Sequence, residues 1–153
     1  MASVPRPPTQ ATEVPTSRRW LKWPAALLGG AVAIAATAFF GTLVTNLALW
    51  ILIGRGVPLQ EAYSELFYST EQIVVGQAVG FLCNAAGGYA AASLASTRAV
   101  THGLIAGATS LVFVLVTYAT PAASSYPVWM AVWNFIIPLP AAMLGAYVRA
   151  RHA

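Results

Sequence analysis

Four amides stand inside long apolar stretches of this 153-residue chain: Asn46, Gln77, Asn84 and Asn134. A carboxamide cleaves and transfers nothing alone, but in hydrocarbon it must find a hydrogen-bond partner. Interhelical bonds of that kind are worth roughly 0.6–2 kcal/mol. These residues either fix helix register, which is the plainer reading, or line a polar path for a small uncharged solute. Other chemistry is sparse. Of the two histidines, His152 belongs to the C-terminal tail and His102 opens an apolar segment. A metal wants several N, S or carboxylate ligands converging, and no second His or Cys stands at a useful spacing from His102. A bis-His haem lacks its second ligand. Axial contact of His102 with one ligand or pigment is the sharper reading, and a hydrogen bond at a helix start near the headgroups is the plainer one. Cys83 is the single cysteine, so an intramolecular disulfide is excluded. Glu61 and Glu65, four residues apart, could attract a cation or a basic partner, although a solvated helix face explains them as well. Nothing supplies a nucleophile, a general base or a metal cage. No enzyme activity and no cofactor are expected.

The elements that must position these groups follow from the charge map. Between Lys22 and Arg149 only Arg55, Glu61, Glu65, Glu71 and Arg98 are formally charged. The chain is 58% hydrophobic and 8% charged, whereas soluble domains carry about 25% charged residues. Uncharged stretches run from Trp23 to Gly54, from Gln72 to Thr97 and from Ala99 to Val148. Crossing ~30 Å of hydrocarbon takes roughly 20 apolar residues. The first two stretches hold one span each, and the third holds two, separated by the turn-forming cluster Pro121–Pro127. The expectation is an all-α, four-helix transmembrane bundle forming a single domain over 20–153, with spans at about 24–53, 72–96, 101–120 and 127–148. Residues 1–19, with four prolines and no apolar periodicity, read as a disordered cytoplasmic tail. Ser17-Arg18-Arg19 resembles a twin-arginine export signal, but the apolar run behind it is too long for a signal core, so span 1 reads as a retained anchor.

Lys and Arg in short loops set orientation. Arg18, Arg19 and Lys22, then Arg98, then Arg149 and Arg151 fall on one side of a four-span path, whereas the first connection sets Arg55 against three Glu. That predicts N-in, C-in, and makes the net charge of +4 a topology signal and not a nucleic-acid signal. Trp20, Trp23, Trp50, Tyr68, Tyr118, Tyr126, Trp129 and Tyr147 fall at span ends, the interfacial depth that amphipathic rings prefer.

Within the spans, small residues dominate the packing pattern. Gly76, Gly80, Asn84 and Gly88 recur every four residues on nearly one face of span 2, with Gly87 beside them; Gly103 and Gly107 repeat that spacing in span 3. Such spacing lets backbones approach closely enough for van der Waals contact to drive association. Span 1 is long enough to require tilt or a kink near Gly41-Thr42. Span 4 carries Pro138 and Pro140, which should bend it. The segment Gly54–Thr70 predicts a short interfacial amphipathic helix with Leu59, Tyr63, Leu66 and Phe67 on one face.

Gly87-Gly88-Tyr89-Ala90-Ala91-Ala92, then Arg98, then His102-Gly103-Leu104-Ile105-Ala106-Gly107 resembles a pattern in small uncharacterised four-helix bacterial membrane proteins. In those, a Gly-Gly-Tyr-x-Ala-Ala helix end is followed by a short basic loop and a His-Gly-x-x-x-Gly helix start. The resemblance covers about residues 76–107 and implies a bacterial cytoplasmic (inner) membrane location and the same bundle. It carries no activity. The expected partners are the bilayer and a second copy or a larger membrane complex. The expected function is therefore a non-enzymatic protein acting through helix contacts, as a homo-oligomer or accessory subunit. The alternative is a small transporter or channel for an uncharged or weakly polar solute. Proton-coupled transport is disfavoured because no ionisable group lies deep in a span; the small multidrug-resistance transporters, also four-span, depend on an acid in helix 1 that this chain lacks.

Overall fold

The computed structural model describes residues 22–95, 98–119 and 127–152. The N-terminal tail with its Arg pair, and the turn cluster between spans 3 and 4 up to Tyr126, lie outside the described residues, as does the side chain of Phe67. All described elements are helices: α1 (Trp23–Gly54), α2 (Leu59–Tyr68), α3 (Thr70–Ala95), α4 (Ala99–Tyr118), α5 (Val128–Ile136) and α6 (Pro138–Arg151). Four segments are long and apolar enough to cross a membrane, namely α1, α3, α4 and α5 with α6 taken together. Large apolar side chains crowd the outside, among them Trp50, 73% exposed, and Val128, 80% exposed. This is a helical, multi-pass membrane protein.

Local chemistry explains where the helices start and stop. Pro24 sits in the first turn of α1, where a missing N–H costs no hydrogen bond. The helix then runs 32 residues without a break at Gly41. At 1.5 Å per residue that is roughly 48 Å, well beyond the hydrocarbon thickness. Its end is a Schellman motif: Val57 N–H donates to Leu52 O at 3.1 Å and Gly56 N–H to Ile53 O at 2.9 Å. The motif needs a left-handed residue at Gly56, whose φ is +86°, a conformation that costs glycine little.

Pro58 then caps α2. The apolar face expected on α2 is shared between the bundle and the interface. Ala62 and Leu66 are buried, while Leu59 and Tyr63 are exposed. The reason is that α2 rests on both α1 and α3, which turns its narrow small-residue side inward and leaves the larger side chains to the interface. Ser69 joins α2 to α3, its Oγ accepting the Gln72 N–H at 3.2 Å, so α3 begins two residues before the expected span.

The bundle has a diamond section. α3 and α4 touch across the centre, with α1 packed on both from one side and α6 on both from the other. Pro138 and Pro140 divide the last span. Ile137 keeps helical angles (φ −70°, ψ −34°), and Ile137 N–H still donates to Trp133 O at 2.9 Å. The prolines remove two donors, leaving the carbonyls of Asn134 and Ile136 without the N–H four residues on.

Close approach is confined to one half of the bundle, the half containing Lys22, Arg98 and Arg151 (here the terminal end). A Cβ built on Gly29 would meet Ala91 Cβ at 2.5 Å, and one on Gly87 would meet Gly29 O at 2.5 Å. On the other side, Gly88 lies against the Ala142 carbonyl and Gly145 against that of Ala85. Gly103 and Gly107 also close on Ala142. Toward the α2 end, Gly41, Gly76 and Gly80 have open space where a Cβ would be.

Candidate functional site

The glycine spacing of span 2 therefore splits into two environments. Gly87 and Gly88, with Gly103 and Gly107 of α4, sit in helix contacts within the chain. Gly76 and Gly80 do not; they border a cleft where α1 and α3 diverge. Gly145 and Ala142 of α6 complete the close-packed set and were not singled out from sequence. The small residues Ala141, Ala142, Gly145 and Ala146, at four-residue spacings, were the signal available.

His102 is fully buried, at 0% exposure. Its Nε2 accepts the Lys22 backbone N–H at 3.1 Å. Because that N–H can only donate, Nε2 carries no proton, and Nδ1–H donates to Arg98 O at 3.0 Å. Arg98 is the one described non-glycine residue with positive φ (50°). Its carbonyl also accepts the His102 backbone N–H at 3.2 Å. The ring thus ties the start of α1 to the start of α4, and both nitrogens are occupied in doing so. Among the described residues no group of three or more His, Cys, Asp and Glu comes together to hold a metal.

Three of the four amides converge. Gln77, Asn84 and Asn134 line a cavity of about 180 Å³ among α1, α3, α4 and the α5–α6 junction. Gln77 and Asn134 also line an adjoining cavity of about 280 Å³, bordered by Gly41, Gly76 and Leu66 of α2. Together they form a cleft that starts under α2 and reaches Asn84 and Ser110 at mid-span. Asn134 Nδ2 donates to the Tyr118 hydroxyl at 3.0 Å, and the Tyr118 ring lies 5.5 Å from that of Phe135. These contacts pin α5 to the end of α4. Asn46 stands apart, exposed on α1 with its Nδ2 donating to Thr42 O at 2.8 Å.

Sequence reasoning missed Thr37 and Ser110 as cleft residues. Each lies one helical turn from a residue it bonds: Thr37 Oγ1 donates to Ala33 O at 2.8 Å and Ser110 Oγ to Ala106 O at 3.4 Å. No local signal separates such hydroxyls from others in apolar helices; only the packing brings them to one space. Below the cleft, the glycine contacts of the terminal half close the bundle.

A largely apolar groove of about 560 Å³ runs between α3 and α5, lined by Val74, Ala78, Leu82, Trp129 and Trp133 and sharing Gln77 and Phe81 with the first cavity. Glu61, Glu65 and Glu71 are exposed at the α2 end and face neither cavity. No family model matches this chain, and no curated protein or solved structure is similar to it.

Proposed function

We propose that this protein is a non-enzymatic membrane protein that binds a small uncharged polar solute in the cleft at its α2 end. The observation that carries this reading is the convergence of Gln77, Asn84 and Asn134 on one cavity. Amides serving only as register locks would be expected to bond across a helix pair. Asn84 instead bonds its own helix, at Gly80 O, and faces a space large enough for a few waters or a compact solute. The non-enzymatic part rests on the want of ionisable groups in the spans and on the full occupation of His102.

The bacterial cytoplasmic membrane is proposed as the location, with both termini inside, on the sequence resemblance and the positive-inside rule. Lys22, Arg98, Arg149 and Arg151 gather at the terminal end, opposite the three Glu. The cleft then faces the periplasmic side.

Gly80→Leu tests the proposal, because a Cβ there meets nothing within 4 Å and the residue lines the cleft that a leucine would fill. In nanodiscs, wild type should bind small neutral amides or polyols as read by ligand-observed NMR, and Gly80→Leu should lose most of that signal while keeping its melting temperature. Equal signal from both proteins would sink the reading. A second reading, accessory subunit or homo-oligomer, is favoured by the groove between α3 and α5, where Trp129 and Trp133 are exposed. Native mass spectrometry from mild detergent would support it by showing a second chain and would count against it by showing monomer alone.

A further inference from the structure

The hydrogen bonds around the deep end of the cleft all run the same way. Asn84 is 9% exposed, and its Nδ2 donates to Gly80 O at 2.8 Å. A carbonyl oxygen can only accept, so the orientation of this amide is fixed by its partner and not chosen arbitrarily. The consequence is that Oδ1, buried, has no hydrogen-bond partner. Thr37 and Ser110 spend their hydroxyl hydrogens on Ala33 O and Ala106 O, which leaves oxygen lone pairs for the cavity they line. Pro138 strips the carbonyl of Asn134, a residue lining the same space, of the N–H four residues on. At the Asn84 end the wall therefore offers acceptors, whereas Gln77 and Tyr118, toward the α2 end, carry N–H and O–H donors. Buried acceptors left unmade are costly, so a ligand bringing N–H or O–H groups is favoured over one of equal size bringing none.

We infer that the cleft selects by hydrogen-bond polarity: it takes an uncharged solute whose buried end presents clustered N–H or O–H donors, with Asn84 Oδ1 as the residue that sets this specificity. This rests on the cleft being the binding site. A metal or ammonium cation would also meet oxygen atoms, but no carboxylate lines either cavity, and an uncompensated charge at this depth is expensive. A neutral donor is the better match.

The test uses the whole chain in nanodiscs and three probes. Urea and dimethyl sulfoxide each have four heavy atoms but differ in donors, and ammonium reports a cation site. Urea is expected to bind at least about tenfold more tightly than dimethyl sulfoxide, an amount one well-made buried hydrogen bond supplies. Asn84→Leu should bring the two within about twofold, and Ser110→Ala, a smaller change, should narrow the gap without touching Asn84. Should Asn84→Leu fail to fold, Asn84→Ala gives the same comparison. Equal binding of urea and dimethyl sulfoxide, both blocked by Gly80→Leu, would overturn the polarity rule and leave the cleft standing. A preference that survives Asn84→Leu, or tighter binding of ammonium than urea, would also overturn it. Binding of none of the three, with water alone in the cleft, would overturn both the rule and the cleft.

Discussion

The two halves of the bundle solve the problem of holding helices together in lipid by opposite means. At the terminal end seven glycines, Gly29, Gly30, Gly87, Gly88, Gly103, Gly107 and Gly145, bring side chains and backbones of neighbouring helices within contact. Toward the α2 end five glycines, Gly41, Gly54, Gly56, Gly76 and Gly80, have no such neighbour, and amides and hydroxyls occupy the space between the helices. The same residue type at the same spacing does two different jobs. Helices that cross at a point must diverge beyond it, so one stripe of small residues becomes a contact on one side of the crossing and a cleft wall on the other. Rigidity near the termini and accessible volume at the other end are two results of one crossing.

That contrast can be broken most directly by placing one methyl group in each half of α3. Gly88→Ala should be severe, because its Cβ would overlap the Ala142 carbonyl and overpacking of this kind costs about 1–3 kcal/mol or more. Gly80→Ala and Gly76→Ala, in open space, should be neutral or stabilising by up to ~1 kcal/mol, since alanine is the better helix former. Thermal unfolding in detergent by circular dichroism reads both; destabilisation of similar size at Gly80 and Gly88 would abolish the distinction between the halves. Next in size is His102→Leu, which leaves the Lys22 N–H and Arg98 O without the ring. A loss of about 1–3 kcal/mol is expected, with faster hydrogen exchange in the first turns of α1 and α4 and little change near Asn134. Unchanged exchange there would mean that the ring does not hold the two starts together. The smallest effect should come from Arg98→Gly. A left-handed non-glycine residue costs roughly 1–2 kcal/mol, part of which is returned through the greater freedom of glycine in the unfolded chain. A gain of under ~1 kcal/mol is expected in the same melts, and a clear loss would show that the Arg98 side chain contributes more than its backbone strain costs.

The four spans were legible because charge is so rare in this chain that its gaps measure span lengths directly. Gly56 and Pro58 mark the end of α1 and the start of α2 for equally local reasons. What the sequence did not show is which part of a periodic stripe meets a neighbour. Gly76 and Gly88 belong to one four-residue repeat, yet its slow drift turns them about 120° apart, so that Gly88 meets α6 while Gly76 borders the cleft. How the apolar face of α2 divides was not legible either: Leu66 turns to the bundle with Ala62, while Leu59 and Tyr63 stay exposed. His102 could be placed at a helix start, but its bond to Lys22 spans 80 residues and has no local trace. The convergence of three amides was likewise invisible, since nothing in a one-dimensional spacing tells whether Asn134 and Asn84 share a space.

The position of Ala142 also bears on how the molecule is made. Gly88, Gly103 and Gly107 all close on α6, which leaves the ribosome after α3 and α4. Chains are synthesised from the N-terminus at about 5–20 residues per second, so α3 and α4 enter the bilayer before the surface that completes them exists. Until α6 arrives, those glycines have only lipid or each other to meet. The α3–α4 pair is locked only when α6 arrives, and a product truncated after Tyr118 would expose unfilled grooves that membrane quality control can recognise as incomplete.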